Sequence, residues 1–404
     1  MMQYDLIIVG GGAAGFFTAI NVAENNPKLK IAILERGKEV LSKVRVSGGG
    51  RCNVTHAEFI PNELTKNYPR GEKELKGPFH TFMTGDTMEW FDNRGVALKI
   101  EEDGRIFPVS DSSQTIIDCF LKEAKRLQIE ILKSHAVKNF SKEEDSWILK
   151  TNQGDFSTKK LMIATGSNPK IWNLLENLNH TIVEAVPSLF TFNIKDSRIK
   201  DLPGVATNAS VKVRNSKLSS EGPLLITHWG MSGPAILKLS AWGAIELNAF
   251  DYNFEIEVNW LQFYKAQEIV SELKELKDAN AKQQVHKYAQ FELPKRLWQS
   301  LVAASGINND TRWADVNKFQ LKTLSEQLTQ SIFQVKGKST FKEEFVTAGG
   351  VDLKEVNFKT FESKKYQNLY FAGEVLNIDA ITGGFNFQNA WTGAYIAAQA
   401  ITSK

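Results

Sequence analysis

The sequence predicts an α/β protein in which a dinucleotide-binding Rossmann domain is interrupted by an inserted domain of strands and helices. Three observations support this fold class. A glycine motif joins an apolar strand to a helix near the start of the chain, and an acidic residue ends the next strand. Strands followed by glycine turns return near the end of the chain. The long segment between these regions has short alternating strands and amphipathic helices, which indicate a separate domain.

The N-terminal segment has the strand, turn and helix order of a dinucleotide-binding unit. The apolar run Leu6–Val9 predicts a buried strand, and a G-x-G-x-x-G motif follows it with the members Gly10, Gly12 and Gly15. Gly10 allows the tight turn, Gly12 lets a diphosphate approach the backbone, and Gly15 lets the helix pack closely on the strand. The helix, which begins near Ala13, presents free N–H groups and a partial positive charge to the diphosphate.

The second predicted strand, Leu29–Leu34, ends in Glu35, about 20 residues after the motif. A carboxylate at this position can accept hydrogen bonds from both hydroxyls of an adenosine ribose. Arg36 opens the loop that follows. The combination predicts a bound dinucleotide, and the motif alone does not distinguish FAD from NAD.

The loop after Glu35 ends in a glycine-rich stretch whose members are Ser47, Gly48, Gly49, Gly50, Arg51, Cys52 and Asn53. Three consecutive glycines allow the backbone to lie flat against a ligand, so we predict a second part of the cofactor site here.

Cys52 could indicate a flavin disulfide reductase, but that class needs a second cysteine a few residues away to form the reducible disulfide. Because Cys119 lies far off in a predicted helix, we expect Cys52 to be a packing residue near the cofactor.

The rest of the first part predicts one helix and several strands. They are the helix Ser113–Arg126, the strands Ile129–Leu132 and Ala136–Phe140, a hairpin of Trp147–Thr151 with Asp155–Ser157, and the strand Leu161–Ala164. Thr165 and Gly166 follow the last strand and complete an Ala-Thr-Gly sequence, which is a second, shorter signature of FAD proteins with this fold.

The character of the sequence changes at Pro187. Phe254, Ile256 and Val258 alternate with polar residues, which predicts a sheet with one solvated face. The predicted strands are Phe190–Ile194, Ala209–Val213, Pro223–Ile226 and Asn253–Val258, and the predicted helices are Leu261–Ala289, Pro294–Ala304 and Asp315–Gln330. We expect this insert to cover the cofactor and to supply the substrate cavity, with the loop Thr227–Pro234 lining it.

The dinucleotide-binding pattern resumes with Phe345–Val351 and the strand Asn368–Ala372. Gly373, Glu374, Asp379 and Gly384 follow, and Trp391–Ile401 predicts a closing helix. Its N-terminus can serve the flavin ring or the ribityl chain, and a simple NAD domain needs no such return. We therefore expect residues 1–186 and 341–404 to form an FAD-binding domain and residues 187–340 to form the insert.

The composition of the 404-residue chain narrows the class further. Apolar residues make up 42% and charged residues 24%, and the net charge of +3 favours neither nucleic acid nor an anionic membrane as a partner. Two cysteines are too few for a disulfide framework and fit no metal site, so a reducing, cytoplasmic location is expected. The chain has no run of about 20 apolar residues, so no membrane span is predicted.

Several of these stretches together resemble the HI0933-like flavoproteins, also called the YhiN or BaiN-like family. The matching stretches are Val9–Gly15, Ser47–Thr55, Thr227–Leu237, TAGGV at 347–351 and Leu369–Trp391. They span almost the whole chain, and the glycine-rich stretch with the C-terminal return is the most specific part. The resemblance implies an FAD domain of the glutathione-reductase type, interrupted by a β-barrel-like and helical insert.

The family's binding residues carry over by position. The phosphate turn corresponds to Gly10, Gly12, Ala14 and Gly15, the ribose acid to Glu35, the basic residue before the glycine loop to Lys43, that loop to Ser47–Asn53, the backbone at the adenine to Val137, and the C-terminal flavin contacts to Gly373, Glu374, Asn386 and Phe387. The sequence departs from the family at His56, where Asn is common, and after Gly166, where a second glycine is often found.

Two functions follow, and no catalytic side chain is assigned to either. The first is an FAD-dependent oxidoreductase that passes hydride between a small organic substrate and NAD(P)H or dioxygen through a non-covalent flavin. In such an enzyme the flavin carries out the redox chemistry and the protein orients it. Family members are implied to reduce oxidised bile acids or to oxidise aminoketones, which leaves the substrate open. The alternative is a flavin-binding protein with a regulatory or RNA-associated role and little turnover.

Overall fold

A computed structural model of the protein describes residues 1–262, 264–339 and 346–403. The chain divides into two compact units. The first, called here the Rossmann unit, comprises Met1–Val186 and Lys342–Lys404, and the second, called the inserted unit, comprises Pro187–Phe341. The predicted positions Phe345 and Thr340 lie outside the described residues.

The first part of the chain contains ten strands and seven helices among its described residues. In chain order they are β1 (Met2–Val9), α1 (Ala13–Asn25), β2 (Ile31–Leu34), α2 (Ser42–Gly50), β3 (Thr55–His56), α3 (Pro61–Thr65), α4 (Glu72–Thr81), α5 (Thr84–Asp92), β4 (Leu98–Ile100), β5 (Arg105–Pro108), α6 (Ser113–Arg126), β6 (Glu130–Leu132), β7 (Val137–Glu143), β8 (Ser146–Thr151), β9 (Gly154–Ile163), α7 (Pro169–Asn177) and β10 (Ile182–Ser188).

The insert and the C-terminal return follow. The insert has β11 (Thr191–Ile194), β12 (Ala206–Val213), β13 (Ser219–Ile226), β14 (Gly230–Ser232), α8 (Pro234–Trp242), α9 (Ala244–Ala249), β15 (Asn253–Asn259), α10 (Ala266–Ala279), α11 (Lys295–Ala304), α12 (Lys318–Thr329) and β16 (Ser331–Ser339). The return has β17 (Val346–Val351), β18 (Val356–Asn357), β19 (Glu362–Ser363), β20 (Leu369–Phe371) and α13 (Phe385–Ser403).

The Rossmann unit is built on a parallel sheet with the strand order β6-β2-β1-β9-β20. Its central strand β1 is flanked by β2 and β9, and Val9 pairs with both Leu34 and Ile163. The carboxyl ends of the three strands are therefore level. Because the chain continues from β1 to β2 on one side and later enters β9 on the other side, this edge is the topological switch point at which open α/β sheets bind ligands.

An apolar core holds helices against this sheet. The central strands β1 and β2 are buried on both faces, as expected for a parallel sheet covered by helices. Helix α1 packs along α13, and Phe17 lies between Trp90 and Trp391, at centroid distances of 4.5 and 5.2 Å. Residues far apart in the chain therefore form one core around the first and last helices.

The inserted unit contains a closed six-stranded barrel with the order β11-β14-β13-β12-β15-β16. Phe254, Ile256 and Val258 of β15 point into its core, so the predicted alternation is confirmed. The helices α10, α11 and α12 contribute the rest of this core. The fold class predicted from the sequence, a Rossmann domain interrupted by a barrel and helices, is thus the observed one.

The structure differs from the expected elements in four places. Asp155–Ser157 and Leu161–Ala164 were separate strands in the prediction, but both belong to the single strand β9, apart from Ala164. The loop after Glu35 contains a helix, α2, and the helix predicted over Leu261–Ala289 is observed only as α10. The closing helix α13 begins at Phe385, before the predicted Trp391. No helix among the described residues is long and apolar enough to cross a membrane.

The close approach of α1 to β1 can be tested at Gly15. A Cβ atom at Gly15 would lie 2.0 Å from the carbonyl oxygen of Gly10, whereas one at Gly12 would meet no described atom within 4 Å. We expect Gly15→Ala to lower the free energy of unfolding by about 1–3 kcal/mol, as overpacking does. Chemical denaturation of the cofactor-free protein measures this. Gly12→Ala is the matched control, and equal stability of the two variants would contradict the packing argument.

Candidate functional site

The glycine turn after β1 has the geometry of a diphosphate cradle. Gly10 has a φ of 113°, and a Cβ atom there would lie 2.4 Å from the carbonyl oxygen of Ala164. Gly15 is needed for the packing of α1 on β1, as described above. Gly12, by contrast, faces open space, and no side chain caps α1 at this position. The first turn of α1, with Ala13 and Ala14, is therefore free to donate its N–H groups to an anion.

Backbone groups hold the carboxylate of Glu35 in place. Its Oε2 accepts from the N–H of Gly11 at 2.9 Å, and its Oε1 accepts from the N–H of Gly37 at 2.6 Å. Each oxygen keeps a further lone pair for a ribose hydroxyl. The N–H of His135 donates to the Glu35 carbonyl at 2.8 Å, which brings the start of β7, with Val137, to the same edge of the sheet.

The glycine-rich stretch forms a left-handed turn at the end of α2. The backbone leaves the helical conformation at Ser47, and Gly48, Gly49 and Gly50 have φ values of 58°, 67° and 84°. A Cβ atom at Gly48 would lie 2.9 Å from the Asn53 nitrogen, but Gly49 and Gly50 face open space. The turn therefore exposes a strip of backbone without side chains, as predicted for a surface against a flat ligand.

The C-terminal return contacts this turn directly. In the orientation of the Asn53 amide that satisfies its hydrogen bonds, its oxygen accepts from the N–H of Gly384 at 2.9 Å. A Cβ atom at Gly384 would lie 2.5 Å from the Thr55 carbonyl oxygen, so this glycine is required by packing. Asn386 closes the preceding loop by accepting from the Ala380 N–H at 3.0 Å. Phe387 stacks on Trp391 at 5.5 Å.

An ion pair between Lys43 and Glu374 joins the N-terminal and C-terminal segments of the site. A Cβ atom at Gly166 would lie 3.5 Å from Glu374 Oε2 and 3.9 Å from Lys43 Nζ, so Thr165 and Gly166 turn beside this pair. Gly373 lies next to Ala14, at 3.5 Å from its Cβ by the same measure. Residues from five separate segments thus meet at the carboxyl edge of the sheet.

Four of the predicted site residues are engaged or placed elsewhere. Arg51 forms ion pairs with Glu101 at 2.6 Å and Asp111 at 3.4 Å and lies over the ring of Phe107. Asp379 is fully buried and pairs with Arg70. Arg36 is exposed, and Cys52 is fully buried. Direct contacts of these four with a cofactor stay predictions, and for Asp379 the structure gives a role in holding the return.

Sequence reasoning missed three contributors to the site. Gly11 and Gly37 donate to Glu35. Both could have been inferred, because Gly11 lies within the motif and Gly37 lies two residues after the acid. Arg70 carries no local signal, because its partner Asp379 is 309 residues away. Gly71, next to it, packs against Ile378. These residues hold the predicted ones in position.

The residues at this edge fit an FAD molecule. Gly12, Gly49 and Gly50 leave open backbone where the dinucleotide and the flat ring would lie. In the return, the side-chain oxygen of Asn377 and both amide atoms of Asn389 are buried without a hydrogen-bond partner among the described residues. Buried polar atoms are normally paired, so such atoms are the expected partners of a ligand or of ordered water.

Comparisons with known proteins agree with this arrangement. A chain from Haemophilus influenzae named ribosomal RNA dihydrouridine synthase is 28% identical over all of both chains. A 3-dehydro-bile acid delta(4,6)-reductase from Clostridium scindens is 25% identical over 98% of both chains. The solved structure of 3-ketosteroid-delta4-(5alpha)-dehydrogenase from Rhodococcus jostii has a similar fold, with a TM-score of 0.52 and 11% identity, covering 100% of this chain and 97% of that one.

The fold and the site define the class of this protein as the flavin-dependent oxidoreductases with an FAD-binding Rossmann fold. More narrowly, residues 4–400 match the model of the HI0933-like protein Rossmann domain, and the chain belongs to that family. The resemblance noted from the sequence is therefore confirmed.

The role of Glu35 can be tested by Glu35→Ala. The change removes a charged acceptor for the ribose hydroxyls, and hydrogen bonds to charged groups contribute about 1.5–3 kcal/mol. We expect the dissociation constant of FAD to rise by about 10- to 150-fold, measured by titration of the cofactor-free protein. Glu39→Ala, an exposed acid four residues away, is the matched control. An unchanged dissociation constant for Glu35→Ala would exclude the ribose contact.

A second prediction concerns Cys52. Burial raises the pKa of its thiol to about 12, so the reactive thiolate is scarce at neutral pH. We expect Cys52→Ser to leave the rate of flavin reduction within about twofold of the wild type, and the wild type to resist alkylation by iodoacetamide until it is denatured. A thiolate-to-flavin charge-transfer band, lost in Cys52→Ser, would instead demonstrate a thiol mechanism.

Proposed function

We propose that this protein uses non-covalently bound FAD to reduce a carbon–carbon double bond that is conjugated to a carbonyl group, with a uracil base of ribosomal RNA as the substrate. The observation that carries the proposal is the chemistry shared by the names of two kinds of full-length relative, a ribosomal RNA dihydrouridine synthase and a 3-dehydro-bile acid delta(4,6)-reductase. Dihydrouridine is uridine reduced at the bond conjugated to its ring carbonyl, and a 3-dehydro steroid with delta(4,6) unsaturation has the same kind of bond.

The residues at the carboxyl edge of the sheet would hold the cofactor in an extended form. The turn Gly10–Gly15 and the start of α1 would bind the diphosphate, and Glu35 would bind the adenosine ribose. The adenine would lie at the backbone near Val137. The glycine stretch Ser47–Asn53 and the return from Gly373 would hold the other half of the molecule. Both cysteines are buried, with the pKa of Cys52 raised to about 12 and that of Cys119 to about 11, which supports a non-covalent attachment.

Bound FAD, once reduced, would supply a hydride to one carbon of the double bond, and a proton from solvent would complete the other carbon. A reduction consumes two electrons per product, so a reductant is needed, and we propose NAD(P)H for this role. The chain has one dinucleotide motif, which we assign to FAD. The nicotinamide nucleotide would therefore bind transiently and leave before the substrate enters, with dioxygen as a competing acceptor.

The proposal replaces the expectation that nucleic acid is not a partner. That expectation came from the net charge of +3, which is an average over the whole chain. RNA binding depends on the local arrangement of cations and aromatic side chains.

A small conjugated ketone is the second candidate substrate, and the relative from Clostridium scindens favours it. We propose a cytoplasmic location for the protein with either substrate.

The experiment is anaerobic reduction of the purified holoprotein followed by a choice of acceptors. NADH or NADPH should bleach the flavin absorbance, and ribosomal RNA from a strain lacking this gene should then restore it with formation of dihydrouridine, detected by mass spectrometry of the digested RNA. A 4-en-3-one steroid is offered in parallel. Ribosomal RNA that already carries the product is the control.

Each outcome separates the candidates. Formation of dihydrouridine supports the RNA substrate, and reoxidation by the steroid alone supports the second candidate. Reoxidation by dioxygen only, with neither product formed, would contradict reduction of a conjugated double bond.

A further inference from the structure

A tight turn in the inserted unit holds a tryptophan out into solvent. The turn Thr227–Gly230 is closed by the Thr227 N–H donating to the Gly230 carbonyl at 2.8 Å. The Thr227 hydroxyl accepts from the N–H groups of Trp229 and Gly230 at 3.3 and 3.2 Å, and the Trp229 carbonyl accepts from the Ile194 N–H at 2.9 Å. The side chain of Trp229 is nevertheless 62% exposed.

The contact of this turn with the barrel holds the backbone of Trp229 at the surface. Gly230 has a φ of 147°, and a Cβ atom there would lie 2.2 Å from the Phe192 carbonyl oxygen, so the turn is pressed against β11. The backbone of this loop is therefore fixed, and the side chain of Trp229 lies outside the barrel core. Such pre-ordering lowers the entropic cost of binding a partner at Trp229.

A pocket lies beside the same turn, next to Thr227 and His228. Its volume is about 510 Å³, within the range of sites for small ligands. Thr227 and His228 line it from the turn, Leu225 and Pro203 provide apolar walls, and Arg296 lines the remaining side. An imidazole, a guanidinium group and an exposed indole thus belong to one small region of the surface.

The charge around the pocket favours an anionic ligand. Arg296 lies in the first turn of α11, next to the exposed Lys295, and its guanidinium donates to the carbonyl of Asp201, which fixes its direction. The carboxylate of Asp201 is an exposed acid in the same segment, and Lys200 precedes it.

We propose that this pocket and Trp229 bind an unpaired nucleotide of an RNA strand. The base would stack on the indole of Trp229, and the sugar–phosphate would lie in the pocket against Arg296 and His228. Proteins that bind single-stranded nucleic acid combine stacking platforms with cations in this way. A steroid would instead require an enclosed apolar cavity. The inference rests on the proposed RNA substrate and gives that substrate its own binding surface on the inserted unit.

The test measures the affinity of the full-length holoprotein for a fluorescein-labelled oligonucleotide of twelve uridines by fluorescence anisotropy. Base–aromatic stacking predicts that Trp229→Ala weakens binding by about 5- to 150-fold and that Trp229→Phe retains most of the affinity. Arg296→Gln should reduce the slope of log K against log salt by about 0.7, as expected for one lost phosphate contact on a single strand. The FAD content of each variant checks that it folds.

Two matched controls lie in the same unit. Trp242 is 41% exposed but lies at the end of α8, and Arg214 is exposed and paired with Glu255. Trp242→Ala and Arg214→Gln should bind the oligonucleotide within about twofold of the wild type. Equal affinity of Trp229→Ala and the wild type, no binding by the wild type, or equal weakening by the Trp242 control would overturn the proposal.

Failure of this inference is distinguishable from failure of the proposed function. If the wild type forms dihydrouridine and Trp229→Ala binds and reacts like it, the RNA is bound elsewhere and only the inference fails. If the wild type binds the oligonucleotide through Trp229 but forms no dihydrouridine, the binding surface stands and the reaction is wrong.

Discussion

The rest of the structure depends on the contact between Gly15 and Gly10. The carbonyl oxygen of Gly10 occupies the space where any side chain at Gly15 would begin, at 2.0 Å from that position. This contact places the start of α1 directly over the end of β1. Because β2 and β9 pair with β1 in level register, Glu35 and Thr165 then lie at the same edge as the glycine turn. The close backbone approach and the level register together bring the glycine turn, Glu35 and Thr165 to one edge of the sheet.

The C-terminal return completes this edge through long-range polar contacts. Lys43 pairs with Glu374, which is 331 residues away, and Asn53 bonds to Gly384. The buried Gln388 of α13 accepts from the hydroxyls of Thr55 and Thr87 at 2.6 and 3.0 Å. Polar contacts of this kind are costly to leave unpaired in a core. They therefore specify how the return docks, while the packing of α1 on α13 joins both ends of the chain in one apolar core.

The inserted unit is organised by a different principle. A closed barrel has no free edges, and in this barrel the hydrogen bond from the Ile194 N–H to the Trp229 carbonyl fixes a loop against β11. The turn Thr227–Gly230 uses this support to display Trp229. The division of work that we propose follows from this difference. In this proposal the glycines of the Rossmann unit would bind the cofactor, and aromatic and cationic side chains of the inserted unit would bind the substrate.

The sequence by itself determined the features that depend on local pattern. The glycine spacing, the acid at Glu35, the helix Ser113–Arg126 and the alternation in β15 follow from residues close together in the chain, and all four are observed. The sequence does not predict the helix α2, because its valines and its three glycines have low helix propensity. Its first turn forms where Val44 is buried in the core. Tertiary structure alone decided the pairing of Arg70 with Asp379 and of Asn53 with Gly384. Such contacts leave no periodic signal, because they are selected by the space that remains once the sheet and its helices have packed.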